Sequence, residues 1–175
     1  MAASRVRVQE ADFDVAAEVA ALQQGREDVG AVASFVGCVR GGAGEQGVSA
    51  LTLEHYPGMT ERAIEAMIDE AERRFRLLGV RVVHRIGRLE PGARIVLVAV
   101  ASSHRRDAFE GCEFLMDYLK THAPFWKKET TPQGERWVDA RVADDAALQR
   151  WGLASANAAG GQGGEGGGVG AANGR

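Results

Sequence analysis

Apolar and polar residues alternate with period two at Arg5-Val6-Arg7-Val8, which predicts a first strand because successive strand side chains face opposite ways. Asp12 then caps a short predicted helix through Val15, Val19 and Leu22, ending near Gly25. Gly30 to Val39 is rich in small and β-branched residues and reads as a buried strand. Gly41-Gly42-Ala43-Gly44-Glu45-Gln46-Gly47 lacks the side chains to hold regular structure and reads as a mobile loop. Val48 to Tyr56 returns as a strand, with Leu51 and Leu53 on one face and Thr52 and Glu54 on the other.

Two longer patterns follow. Ile64, Met67, Ile68, Ala71, Phe75 and Leu78 recur at helical spacing, from an N-cap at Thr60 to a stop at Gly79. Val80 to Ile86 and Arg94 to Ser102 predict two strands joined by a turn around Pro91-Gly92. A second long helix follows Ser103, with Ala108, Cys112, Leu115, Met116 and Leu119 on its buried stripe. Pro124 disfavours the α conformation at Ala123, so this helix finishes by about His122. Phe125 to Thr131, the turn Pro132-Gln133-Gly134, and Glu135 to Arg141 predict a hairpin. The order β-α-β-β-α-β-β-α-β-β implies an α+β fold with a mixed, largely antiparallel sheet and two long helices. Strict βαβ alternation is missing, which weighs against a doubly wound fold.

Length and charge narrow the class. The chain has 175 residues, enough for one domain with a real core. Beyond Trp151 the composition turns to glycine, alanine and asparagine, which cannot repay ordering entropy. The expectation is a domain over residues 1–151 and a disordered tail over 152–175. With 21 basic and 24 acidic side chains, a general nucleic-acid binder is disfavoured, although a local basic pocket is not. Met1 to Glu10 contains no signal-like apolar run, and no stretch is long enough to span a membrane. Two cysteines, Cys38 and Cys112, make no disulfide framework and point to a reducing cytoplasm.

Candidate chemistry concentrates at three places. Lys120 ends the second long helix, and Phe125, Lys127 and Glu129 share one strand face, while Trp126, Lys128 and Thr130 share the other. Only one of the adjacent lysines can therefore join Lys120 at a given pocket. Ser103-His104-Arg105 sits where a strand feeds a helix, so free amide N–H groups and a guanidinium suit a phosphate. Cys38 and Arg40 end a buried strand beside the glycine-rich loop, where the thiol has the option of a nucleophilic role. Cys112, on a helix stripe, reads as a small buried hydrophobe. The histidines show no metal-ligand spacing, and neither CxxC nor HExxH occurs, so no metal or cofactor is expected. Lysines, arginines and histidine without a carboxylate pair suit an anionic substrate and acid–base or amine chemistry. Two other readings compete: a persulfide sulfurtransferase built on Cys38, and a single-stranded RNA module stacking bases on Phe125 and Trp126.

Several stretches together resemble the large, catalytic subunit of molybdopterin synthase. They are Gly37 to Arg40, Leu51-Thr52-Leu53-Glu54-His55-Tyr56-Pro57-Gly58-Met59, His84-Arg85-Ile86-Gly87, Ser103-His104-Arg105, Met116-Asp117-Tyr118-Leu119-Lys120, and Ala123-Pro124-Phe125-Trp126-Lys127-Lys128-Glu129. The likeness runs from about Val6 to Trp151. It implies an α/β-hammerhead fold and a cytoplasmic sulfurtransferase of molybdenum-cofactor biosynthesis. It also implies a central homodimer within a heterotetramer, with a small ubiquitin-like sulfur carrier at each end. The carrier's C-terminal Gly-Gly thiocarboxylate would donate sulfur to cyclic pyranopterin monophosphate, two transfers giving the molybdopterin dithiolene. By this resemblance Lys120 and Lys127 are catalytic. Cys38, Val39, Arg40, His104, Arg105, Lys128 and Glu129 join them in binding substrate. Two lysines held close favour the neutral form of one, which can then act as base or nucleophile. Cys38 and His122 depart from residues common in the family.

Overall fold

The computed structural model describes residues 4–42, 47–138, 146–147 and 149–153. Its elements are β1 (Val6–Gln9), α1 (Val15–Gln23), β2 (Ala31–Cys38), β3 (Ala50–His55), α2 (Met59–Arg74), β4 (Leu77–Arg85), β5 (Gly87–Leu89), β6 (Arg94–Ser102), α3 (Arg105–His122), β7 (Phe125–Thr131) and β8 (Gly134–Val138). The strands form two four-stranded sheets rather than one. The first has the order β1-β4-β6-β2 and the second β5-β3-β7-β8. Among the described residues, only the β1–β4 pair is parallel and the other ladders are antiparallel.

The first sheet is covered on both faces, which explains why β4 and β6 read as nearly continuous apolar runs. Val80, Val82, Val96, Val98 and Val100 point to one side, against Ile64, Met67 and Ile68 of α2 and Phe114, Leu115 and Leu119 of α3. Val83, Leu97, Ala99 and Ala101 point to the other, against Phe13 and Leu22 beside and on α1. The period-two alternation thus feeds two cores from one strand. The second sheet has a smaller core of Val39, Leu51, Leu53 and Leu89.

Boundaries differ from the sequence pattern in instructive ways. The N-cap of α1 is Asp14, whose carboxylate accepts from the Ala17 amide, while Asp12 is drawn into ion pairs with Arg94 and Arg85. Helix α2 stops at Arg74 instead of reaching Leu78. Phe75 turns extended and sets its ring edge-on to Phe114 and Trp151, and Leu77 already pairs with Ser102 of β6. Ladder pairing and core packing outweigh a helical spacing that short apolar runs share with strands. Gly79 consequently lies inside β4. The cap of α2 is Gly58, at φ +79, where other residues are strained; Thr60 is fully buried behind it. The N-cap of α3 is His104, and the Ser103 hydroxyl before it donates to the Asp28 carbonyl. The short strand β5 was not expected; it pairs with β3.

The predicted hairpin is present, with Thr131 opposite Gly134 across Pro132-Gln133. Strand β8 ends at Val138, and the expected continuation to Arg141 lies outside the described residues. So do residues 43–46 of the glycine-rich loop and the tail from 154. Gly152 and Leu153 are described, and Leu153 packs on the main core beside Trp151.

Candidate functional site

The site is assembled where the two sheets and α3 meet. Helix α3 ends as expected, at His122, with Ala123 extended (φ −72, ψ 125) ahead of Pro124. The Pro124 carbonyl accepts from the Thr60 hydroxyl, whose oxygen in turn accepts from the Tyr56 amide. That buried hydroxyl ties the start of β7 to the β3–α2 junction. Strand β7 then pairs along β3, with Leu53 opposite Lys127 and Leu51 opposite Glu129. Its inner face and the end of α3 enclose a cavity of about 660 Å³.

Alternation along β7 decides which lysine enters. Phe125, Lys127 and Glu129 line the cavity with Lys120, and Cys38, Val39 and Arg40 close it from the end of β2. Lys128 is on the other face, paired with Glu135 at 2.9 Å and lying over the Trp137 ring. Lys128 is therefore not among the expected substrate-site residues that line the cavity. Glu129 is there, and its carboxylate accepts from Arg136 at 2.7 Å. The same alternation separates the aromatics: Phe125 faces inward and Trp126 outward, so the two do not form one base-stacking surface.

The β2 end is held by backbone bonds. The Val39 amide donates to the Ala93 carbonyl, the Gly92 amide donates to the Val39 carbonyl, and the buried Val39 side chain packs on Leu51 and Leu53. Arg40, the next residue, is thereby presented at the cavity with its side chain exposed. Cys38 is exposed there too, whereas burial pushes the Cys112 thiol up to about 11 and leaves it an inert core group.

His104 and Arg105 are placed elsewhere. Both are exposed at the start of α3, and Arg105 stands about 22 Å from Lys120 by the helical rise. Within one chain they do not converge with Arg40.

One lining residue carried no role in the sequence reading. His84, at the end of β4, is buried and stacks on Phe125 with ring centroids 3.7 Å apart and planes 15° apart. Its Nδ1 is 2.8 Å from the Arg85 carbonyl oxygen, an atom that can only accept, so Nδ1 holds the proton. Burial, helped by the charges of Lys127 and His55, pulls the imidazole pKa down to about 4, so the ring is neutral. A histidine closing the valine-rich strand Val80-Arg81-Val82-Val83 was the available signal.

Among the described residues, no group of acidic, histidine and cysteine side chains is arranged to hold a metal, and no helix is long and apolar enough to cross a membrane.

The model of the family described as MoaE protein matches residues 8–122. A molybdopterin synthase catalytic subunit from Ralstonia nicotianae is 60% identical over 153 residues, covering 87% of each chain. Among solved structures, the molybdopterin biosynthesis MoaE protein from Burkholderia ambifaria is 58% identical with a TM-score of 0.74, covering 86% of this chain and 99% of its own. Molybdopterin synthase from Staphylococcus aureus is 28% identical with a TM-score of 0.72, over 78% and 98% of the two chains. With the family model matching most of its length and relatives 58–60% identical over most of it, this chain belongs to the MoaE family of molybdopterin synthase catalytic subunits.

Proposed function

We propose that this cavity is where sulfur passes from the thiocarboxylated C-terminus of a small carrier to cyclic pyranopterin monophosphate, making the chain a cytoplasmic sulfurtransferase. The observation that carries the reading is that Lys120, at the end of α3, and Lys127, on the inner face of β7, line one cavity with Arg40. Three cations around one space suit two anions, the substrate phosphate and the incoming thiocarboxylate. The thiocarboxylate sulfur is the nucleophile that forms the new C–S bond in place of an oxygen substituent. Water then cleaves the carrier's acyl–sulfur bond to release its carboxylate, so the chain need supply no thiol of its own. Lys120 and Lys127 stabilise the negative charge that develops during transfer, and one of them moves the proton. A glycine tail is narrow enough to reach them.

His104 and Arg105 fit this reading through a second copy of the chain. They are too far from Arg40 to share its cavity within one subunit, yet both are exposed and cationic-capable at a helix N-terminus that favours anions. In a twofold dimer each subunit would offer this pair to the cavity of the other.

The direct experiment combines purified protein, thiocarboxylated carrier and cyclic pyranopterin monophosphate. Dithiolene formation that disappears in Lys120→Ala is expected. No product from the unaltered chain, or near-normal turnover by Lys120→Ala, would overturn the reading.

A further inference from the structure

The cavity is rich in donors and poor in acceptors. Arg40, Lys120 and Lys127 only donate, and Arg136 donates twice to Oε2 of Glu129, which leaves Oε1 as that side chain's remaining acceptor. A phosphate is served by such a lining, but a pterin ring also carries amide and amine N–H groups. These need acceptors once water has been displaced.

His84 supplies one. It is 7% exposed, lines the cavity, and its Nδ1–H is committed to the Arg85 carbonyl. Phe125 covers a ring face, so both the tautomer and the orientation of the imidazole are set. That leaves Nε2 with its lone pair, and among the described residues the hydrogen bond this ring makes is through Nδ1. A carboxylate here would accept as well, but it would also cancel the charge of Lys127. A neutral imidazole accepts without weakening the cationic field that holds the phosphate.

We infer that His84 is a substrate-recognising residue, its Nε2 accepting a hydrogen bond from an N–H group of the pterin ring. This rests on the sulfur-transfer reading given above.

The test uses the complete chain with thiocarboxylated carrier and cyclic pyranopterin monophosphate. His84→Phe keeps a ring against Phe125 and loses the acceptor; His84→Gln keeps a neutral acceptor. Expected for His84→Phe is a rise of about tenfold in KM for the pterin, one hydrogen bond's worth, with kcat and carrier affinity little changed. His84→Gln should recover most of that loss. Unchanged KM in His84→Phe, equal losses in both variants, or a loss confined to carrier affinity would each overturn the inference. Should His84→Phe fail to fold, the 15N resonance of Nε2 in the unaltered protein decides. It shifts when cyclic pyranopterin monophosphate is added without carrier, and an unmoved resonance overturns the assignment. An inactive unaltered protein would instead sink the sulfur-transfer reading.

Discussion

The indole N–H of Trp151 donates to the Asp117 carboxylate at 2.8 Å, fastening residues 149–153 to the flank of α3. The ring also meets Phe75 and Phe114 edge-on, and Arg74 donates to the Trp151 carbonyl. The contact lies about one turn from Lys120, so it also steadies the helix end that carries the site. Trp151→Ala is expected to cost roughly 2–3 kcal/mol, less than the ~3–5 kcal/mol of a fully buried tryptophan because part of the ring is exposed. Urea unfolding measures it.

Removing residues 154–175 should leave that stability unchanged. Their composition offers almost no large apolar side chain, and Trp151 and Leu153, just before them, pack on the main core. Calorimetric melting of the shortened and full-length proteins should coincide; a lowered Tm in the shortened one would place the tail against the domain.

Lys120→Ala is expected to reduce dithiolene formation by about 100-fold or more, and Lys127→Ala by less, in the range seen when a positioned proton-transfer group is lost. Both side chains are exposed at the cavity, so circular dichroism and Tm should stay as in the parent. Lys128→Ala serves as the contrast. Its ion pair with Glu135 lies on the opposite strand face, and its turnover should be close to that of the unaltered chain.

Arg40→Ala, His104→Ala and Arg105→Ala should each weaken pterin phosphate binding by about 1.5–3 kcal/mol, the loss of one charge-assisted contact. Mixing Arg40→Ala chains with His104→Ala chains then distinguishes shared from separate sites. With twofold dimers that exchange freely, half are mixed and each holds one intact site, so about a quarter of full activity should return. No recovery after exchange would confine both residues to the same subunit's site.

The buried His84 gives a stability slope of known sign. Its pKa falls from an ordinary value near 6.5 in the unfolded chain to about 4 in the folded one, so the unfolded state binds the proton more tightly. The stabilisation is complete above pH 6.5 and is lost as pH falls toward 4, by about 3 kcal/mol between pH 7 and pH 4. Urea unfolding at both pH values should show this loss in the unaltered protein and its absence in His84→Phe. Equal slopes would mean that the folded imidazole titrates normally.

Local rules made much of this molecule readable in one dimension. Pro124 ends α3 because its ring clashes with an α conformation at Ala123, and strand alternation sorts Lys127 from Lys128, whatever lies around them. The stretches around Leu51 to Met59 and Ala123 to Glu129 carried the family resemblance, and the family's model matches residues 8–122, which include the first of them. Other outcomes depended on partners distant in sequence. Phe75 to Leu78 suits a helix by spacing, and only Phe114, Trp151 and the β6 ladder make it a bend and a strand. Division into two sheets depends on which strands pair, a choice made by long-range ladders and core packing that period-two patterns do not encode. His84 acquires its neutrality from burial against Phe125, 41 positions away, and His104 and Arg105 are kept from Arg40 by the rigid length of α3. Residue types and spacing determine what an element can present; tertiary packing decides what it faces.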